Sequence, residues 1–303
     1  MPIKITILGS GSATPFLGRH QTSLLADTEG TLYLIDCGEG TQMRLLECGV
    51  KTSKIGHIFI SHLHGDHFLG LPGLISSFNS LSRKAELHIY GPPGIKELLS
   101  INFYYQQTFI DFTLTLHEIS GDNKIQIMEN GYVNVFAFPL KHRIPTYGYL
   151  IEEKQKKPNL DPAKIKNIRH IQHLTALKSG NDVVENGVLI YKAADYTLPA
   201  TPPASFAFVS DTIYNTDLEQ YIKGATCIYH EATFLDSHEA RAQATYHSTA
   251  SQAAQIAKLC QANMLLIGHF SSRYKDTEPF LKEAKKHFEH TYLAVEKKEF
   301  LVE

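Results

Sequence analysis

Residues 61–67 read Ser-His-Leu-His-Gly-Asp-His, placing His62, His64, Asp66 and His67 within six positions. All four side chains bind metal ions. Imidazole nitrogen and carboxylate oxygen, without thiolate, form the donor set of Zn²⁺ or a similar divalent ion in a site left open for catalysis. Alternation along an extended segment predicts His62, His64 and Asp66 on one side, with His67 following at a turn. The run His57-Ile58-Phe59-Ile60 just before them predicts a buried strand, a rigid base for such a site. The alternative, a solvated polar loop, does not account for four donors crowded behind such a run.

Further donors follow other apolar runs. Residues 58–60 lead to His62, 135–140 to His142, 206–209 to Asp211, 227–229 to His230 and Glu231, and 265–267 to Gly268-His269. In α/β folds, sites form where the C-terminal ends of strands meet on one edge. These strand ends therefore predict one convergent site. His62, His64, Asp66, His67, His142, Asp211 and His269 outnumber the three or four side chains that one zinc takes. A shared carboxylate would let them serve two ions. Asp211 would bridge a first ion on His62, His64 and His142 to a second on Asp66, His67 and His269. Paired ions stabilise both the entering and the leaving oxygen of a phosphodiester displacement, and amide or thioester hydrolysis can use the same arrangement.

The elements that must carry these groups are legible in outline. Strand patterns cover 3–8, 31–36, 86–90, 133–138, 205–210, 227–229 and 264–267; helical periodicity covers 41–48, 70–81, 95–100 and 249–262, with Ser248 or Thr249 as N-cap. Strand–helix alternation predicts an α/β fold (α+β in some schemes). Gly9-Ser10-Gly11 follows the first strand, but Thr14 stands where a dinucleotide loop needs its third glycine, so no nucleotide cofactor is expected. Cys37, Cys48, Cys227 and Cys260 form no Cys-x-x-Cys pair and suit a reducing compartment. The N-terminus reads as a strand, not a signal peptide, and no run is long enough for a membrane span; a cytoplasmic protein is expected. The net charge of −2 gives no global attraction to nucleic acid, so any polyanion site must be local.

One local candidate exists. Residues 154–178 hold Lys154, Lys156, Lys157, Lys164, Lys166, Arg169 and Lys178 against one acid, Asp161. The segment 152–197 is poor in core-type runs and reads as an arm inserted into a single domain, 1–303, without a core of its own. Its charge suits a phosphate backbone; a merely solvated loop is the alternative.

The motif His62-Leu63-His64-Gly65-Asp66-His67 resembles the H-x-H-x-D-H signature of the metallo-β-lactamase superfamily. More narrowly the chain resembles the ribonuclease Z family, through His230-Glu231-Ala232-Thr233, His247-Ser248-Thr249, the opening 8–13, the segment 36–42, and His269-Phe270-Ser271-Ser272-Arg273-Tyr274. The resemblance implies a four-layer αβ/βα metallo-β-lactamase sandwich with two Zn²⁺ per chain at one edge. It also implies a flexible arm that grips precursor tRNA and a homodimer. The activity implied is removal of the 3′ trailer, leaving a 3′-hydroxyl on the tRNA and a 5′-phosphate on the trailer. In those terms Asp66 orients the nucleophile, His247 positioned by Glu231 is the general acid, and Ser271 and Arg273 hold phosphate oxygens. Two elements depart from the family pattern: the arm has Lys178-Ser179-Gly180-Asn181 without a proline, and Gly18-Arg19-His20 stands where a Lys-x-Arg-Asn ending is common. Competing readings are a hydrolase of small phosphodiesters or other esters on the same fold, and a non-catalytic RNA-binding protein.

Overall fold

The computed structural model describes residues 3–200 and 202–303. The chain forms two compact units: a larger one, running up to Glu152 and from Ala204 onward, and a smaller one, Glu153–Pro203.

The larger unit is built on two sheets. Across the first, the strands follow the order Glu299–Val302, Ile3–Gly9, Ser23–Thr28, Thr31–Ile35, Ile55–Phe59, Leu87–Gly91 and Leu114–Glu118. Across the second, the order is Thr291–Leu293, Met264–Gly268, Cys227–Glu231, Ser205–Val209, Tyr147–Glu153, Val133–Pro139 and Ile125–Glu129.

Successive strand residues face opposite sides, so each sheet feeds two cores. Ile3, Ile5, Tyr33 and Phe59 of the first sheet meet Val135, Tyr149, Phe206 and Tyr229 of the second in a core between the sheets. Leu34, Ile58 and Ile89 face outward onto the helices Thr41–Glu47, Gly70–Ser80 and Ile95–Tyr105, through Leu45, Leu74, Ile75 and Leu99. Ala207, Ile228 and Leu265 face outward on the other side, onto Ala250–Leu259 and Glu278–Lys285, through Ala253, Ile256 and Phe280. Helix, sheet, sheet and helix give a four-layer αβ/βα sandwich. Burial on both faces explains why residues such as Ile58-Phe59-Ile60 are apolar without a break.

Some sequence expectations are corrected. The segment after Ile55–Phe59 is extended only as far as His64; Gly65–Phe68 is a helical turn, so Asp66 leaves the side shared by His62 and His64 and travels with His67. The helix expected at 95–100 continues to Tyr105, with Leu99 and Phe103 one turn apart on its buried face. The helix expected at 249–262 is Ala250–Leu259, and Thr249 is its N-cap: its hydroxyl accepts from the Gln252 N–H while the Gln252 side chain accepts from the Thr249 N–H. The smaller unit has a core of its own, Ile168, Leu177, Val183 and Ala193, which the expectation of a coreless arm excluded. All four cysteines are free, three of them buried. Among the described residues no helix is long and apolar enough to cross a membrane.

Candidate metal centre

Three parallel strands carry much of the site. Register aligns Val209 with His230 and His230 with Ile267, so the chain leaves Ser205–Val209, Cys227–Glu231 and Met264–Gly268 at one level of the sheet. Asp211, Glu231 and His269 emerge there together. The facing sheet delivers His62 and His64 after Ile55–Phe59, and the helical turn Gly65–Phe68 delivers Asp66 and His67. His142 follows Val133–Pro139.

The sequence-predicted donors gather into two groups that meet at Asp211. In the first, His62 Nε2 lies 3.0 Å from His64 Nδ1, and His142 Nε2 lies 3.2 Å from the same nitrogen. Asp211 Oδ2 completes it, 3.6 Å from His62 Nε2 and 3.8 Å from His142 Nε2. In the second, Asp66 Oδ2 is 3.4 Å from His67 Nε2 and 3.3 Å from His269 Nε2, and those two nitrogens are 3.2 Å apart. Asp211 Oδ1 closes it, 3.4 Å from His67 and 3.2 Å from His269. Each carboxylate oxygen of Asp211 thus serves one group.

These donors fit a pair of metal ions. Ligands about 2.0–2.1 Å from a tetrahedral zinc stand about 3.3 Å from one another, close to the spacings found in both groups. Asp211 Oδ1 is buried with no hydrogen-bond donor among the described residues, a costly state for a carboxylate unless a cation faces it.

The other nitrogen of four of these histidines, His62, His67, His142 and His269, is held by the protein, which turns its metal-facing atom the right way. His67 Nδ1 donates to Asp36 Oδ2 at 2.6 Å. Asp36 is fully buried and also accepts from the Ser61 N–H at 2.7 Å and the Ser61 hydroxyl at 2.8 Å. His62 Nδ1 lies 3.0 Å from the Ser61 hydroxyl. His142 Nδ1 donates to the Tyr246 carbonyl at 2.9 Å, and His269 Nδ1 to Thr233 Oγ1 at 2.8 Å. Asp36, Tyr246 and His269 all adopt left-handed backbone, at φ of 56°, 60° and 60°. Such conformations cost free energy in non-glycine residues and concentrate at functional sites. Asp36 is a role that sequence reasoning missed, although 36–42 was noted as a family segment.

The electrostatics follow from this crowding. Burial raises the cost of charge on Asp66, but His67 and His269 outweigh it and hold the carboxyl far below its usual range. Burial likewise opposes charge on Asp211, and His269 and His67 again reverse the sign. Burial disfavours a proton on His67, yet Asp211, Asp66 and Asp36 push its pKa well up. A metal ion would have to displace that proton.

Beside the donors lies a second pair. His247 Nδ1 meets Glu231 Oε1 at 2.9 Å, and its ring stacks on His269 at 5.4 Å. Glu231 is fully buried. His247 Nδ1 is also 3.9 Å from Asp211, so Asp211, His247 and His269 form a third grouping of donor atoms. That nitrogen is already committed to Glu231, so positioning explains His247 better than metal binding. Burial opposes charge on His247, but Glu231 and Asp211 hold its pKa up at about 9. His230, counted among the strand-end groups, is buried with Nδ1 on the Glu231 carbonyl and joins neither metal group.

A cavity of about 580 Å³ opens over these residues. His64, Asp66, His142, Asp211, His247 and His269 line it, as do Ser271 and Arg273. Arg273 Nε donates to Ser271 Oγ at 3.1 Å, and its guanidinium lies 4.9 Å above the Phe234 ring. Two lining cations were not foreseen, Arg143 and Arg241. Lys154, Lys156, Lys157, Lys164, Lys166 and Arg169 all belong to the smaller unit instead. There Lys156 pairs with Glu153 at 2.8 Å and Lys157 donates to Ser179 Oγ at 3.4 Å.

A four-layer αβ/βα sandwich with clustered histidines and aspartates along one edge defines the metallo-β-lactamase fold of metal-dependent hydrolases. Residues 3–155 match the family model of the anti-Pycsar protein Apyc1. Ribonuclease Z of Cytophaga hutchinsonii is 44% identical over 303 residues, covering 100% of this chain and 97% of that protein. Ribonuclease Z of Bacteroides fragilis is 40% identical over 296 residues, covering 97% of each. Among solved structures, human tRNase Z, short form, superposes with a TM-score of 0.73 at 26% identity, over 99% of both chains. The metallo-β-lactamase fold protein YhfI from Bacillus subtilis matches over 99% of both chains with a TM-score of 0.70, and at 16% identity it speaks for the fold alone. By its full-length relatives, the chain belongs to the ribonuclease Z family.

Proposed function

We infer that this chain is an endoribonuclease that removes the 3′ trailer of precursor tRNA, using two Zn²⁺ ions. The observation that carries the reading is the joint geometry: two donor groups sharing Asp211, with the His247–Glu231 pair on the same cavity. The full-length ribonuclease Z relatives support it.

When bound, the ions supply Lewis acidity toward phosphoryl oxygens and lower the pKa of coordinated water. The chain's own residues do the rest. His62, His64 and His142 would hold one ion and Asp66, His67 and His269 the other, with Asp211 beside both groups. Asp66 orients the attacking water. Arg273 and Ser271 hold oxygens of the scissile phosphate, the guanidinium offering paired N–H donors. The water oxygen forms a bond to phosphorus and gives up a proton to solvent, while the bond from phosphorus to the tRNA 3′ oxygen breaks and that oxygen takes a proton from His247 Nε2. Glu231 keeps Nδ1 occupied and favours the protonated ring, so the acid is charged at neutral pH. The products are a tRNA with a 3′-hydroxyl and a trailer with a 5′-phosphate.

The basic residues Lys154, Lys156, Lys157, Lys164, Lys166 and Arg169 grip the tRNA backbone, the protein works as a homodimer in the cytoplasm, and the reaction needs no nucleotide cofactor. The test is incubation with a 3′-extended precursor tRNA, with and without chelator, mapping the cut. Cleavage directly before the trailer that stops on chelation is expected. No cleavage, or cleavage indifferent to chelator, rules the reading out.

A further inference from the structure

Three guanidinium groups line the cavity, and the mechanism uses only Arg273. The remaining two are Arg143 and Arg241. Arg143 follows the donor His142 directly, and both are fixed by one stretch of chain: Arg143 Nη2 donates to the Ala244 carbonyl at 3.0 Å and His142 Nδ1 to the Tyr246 carbonyl at 2.9 Å. The Arg143 guanidinium also lies 5.9 Å from the centre of the Tyr246 ring. Arg241 sits on the helix Glu239–Thr245, one turn from Thr245, which lines the cavity with it. Among the described residues neither Arg143 nor Arg241 forms an ion pair. Among the described residues the carboxylates lining the cavity are Asp66 and Asp211, both committed to the donor groups. Unpaired arginines on a cavity suit a doubly accepting anion such as a phosphodiester, because the planar guanidinium fork can donate to two of its oxygens.

We propose that Arg143 and Arg241 form a second phosphate subsite, which holds the backbone phosphate next to the one being cut. This rests on the reading of the site as an endoribonuclease. Arg143 is pre-set by its carbonyl and ring contacts, and Arg241 closes on the same phosphate from the helix. The subsite distinguishes a polynucleotide, which offers the additional phosphate, from a lone diester, which does not.

The test compares Arg143→Ala, Arg241→Ala and the double variant on a 3′-extended precursor tRNA and on bis(p-nitrophenyl) phosphate. Zinc content is measured on each protein. On the precursor, KM is expected to rise about tenfold per arginine, for the loss of a charge-assisted hydrogen bond from each. The negative slope of log(kcat/KM) against log[salt] should become shallower by about 0.7 for the lost single-strand phosphate contact. The loss on the small diester should be at least roughly tenfold smaller, with kcat for the precursor little changed. Equal losses on the two substrates, or a precursor KM and salt slope that do not move, overturn the subsite. Because Arg143 adjoins His142, loss of zinc in Arg143→Ala shifts the decision to Arg241→Ala, which touches no proposed ligand. A wild-type protein that cuts the diester but leaves the precursor intact overturns the endoribonuclease reading, and the subsite with it.

Discussion

Glu231→Gln separates the charge of Glu231 from its shape. Its carboxylate is fully buried and accepts at both oxygens. Oε1 takes His247 Nδ1 at 2.9 Å, the Ser248 N–H at 3.1 Å and the Thr212 N–H at 3.2 Å. Oε2 takes the Thr233 N–H at 3.0 Å and the Thr233 hydroxyl at 2.7 Å. Glutamine turns an amide N–H₂ toward one of these sets of donors. With about 1–3 kcal/mol for each unsatisfied buried group, the fold should lose on the order of 2–5 kcal/mol. The chemical effect is distinct. Burial opposes charge on His247, and Glu231 is the largest attraction that reverses it. A unit charge about 4 Å away is worth about 4 kcal/mol at an effective dielectric of about 20. Since about 1.4 kcal/mol moves a pKa by about one unit, the expected fall is on the order of 1–3 units. Cations beside Asp211 would cancel its smaller share and leave that of Glu231. A raised pKa means that wild-type His247 keeps its proton through neutral pH and loses it as pH rises toward about 9. In the variant the alkaline limb of the rate profile should therefore move to lower pH, with a loss of about 2–100-fold at pH 8. The assay is single-turnover cleavage of precursor tRNA from about pH 6 to 9.5, with metal content measured at each end. An alkaline limb in its original place, at full metal occupancy, would remove this pair from proton delivery.

Asp66→Ala should abolish cleavage while a gel shift still shows tRNA binding; residual turnover near wild type would take Asp66 out of the chemistry. Asp36→Asn should weaken metal binding about 10–100-fold by freeing the His67 ring, which titration calorimetry reads directly, and unchanged affinity would show that Asp36 serves only the fold. Replacing Lys154, Lys156, Lys157, Lys164, Lys166 and Arg169 by Gln should raise the Kd for tRNA and flatten its salt dependence; equal loss on a small diester would instead mark the smaller unit as structural. His57 lies between the rings of Tyr33, at 5.7 Å, and His88, at 5.1 Å, with Nδ1 buried and unpartnered. Burial, then His88 and His117, push its pKa from 6.5 down to about 4. The neutral ring is the folded form, so its contribution is complete above pH 6.5 and is lost as pH falls through 4. Denaturant melts of metal-free protein should show that His57→Phe reduces this acid loss; identical slopes in both proteins would refute it.

What the chain reveals before folding depends on how local each cause is. Strand ends were legible because a strand buried on both faces must be apolar throughout, so the first polar residue after it marks an edge. Val209 to Asp211 and Ile267 to His269 are instances, and parallel register then aligns those edges. Thr249 was legible as a cap because the capping box is a matter of three residues' spacing. Other features have no local cause. Ile168, Leu177, Val183 and Ala193 share no helical or strand period, so their packing into one core leaves no periodic trace. Alternation of donors at 62–66 is compatible with extended chain, and it is the tertiary placement of Asp66 beside His67 and His269 that goes with a helical Gly65–Phe68.

Asp36 shows the same limit at the centre of the site. As a lone acid after a strand it resembles any strand-terminating residue, and its left-handed backbone, at φ of 56°, is invisible in its type. Its meaning lies entirely in the partner found 31 positions away, His67 Nδ1 at 2.6 Å. The donors that touch a metal ion must be chemically special and so announce themselves. The groups that orient those donors need only be hydrogen-bond partners in the right place, as Ser61, Thr233 and the Tyr246 carbonyl are. Arg143 and Arg241 were passed over for a related reason: nothing in their type or spacing sets them apart from solvated arginines, and only the cavity brings the two together beside the donors. The informative perturbations of this enzyme are therefore Asp36→Asn and Arg241→Ala, which leave every proposed ligand in place and test what the fold, not the motif, contributes.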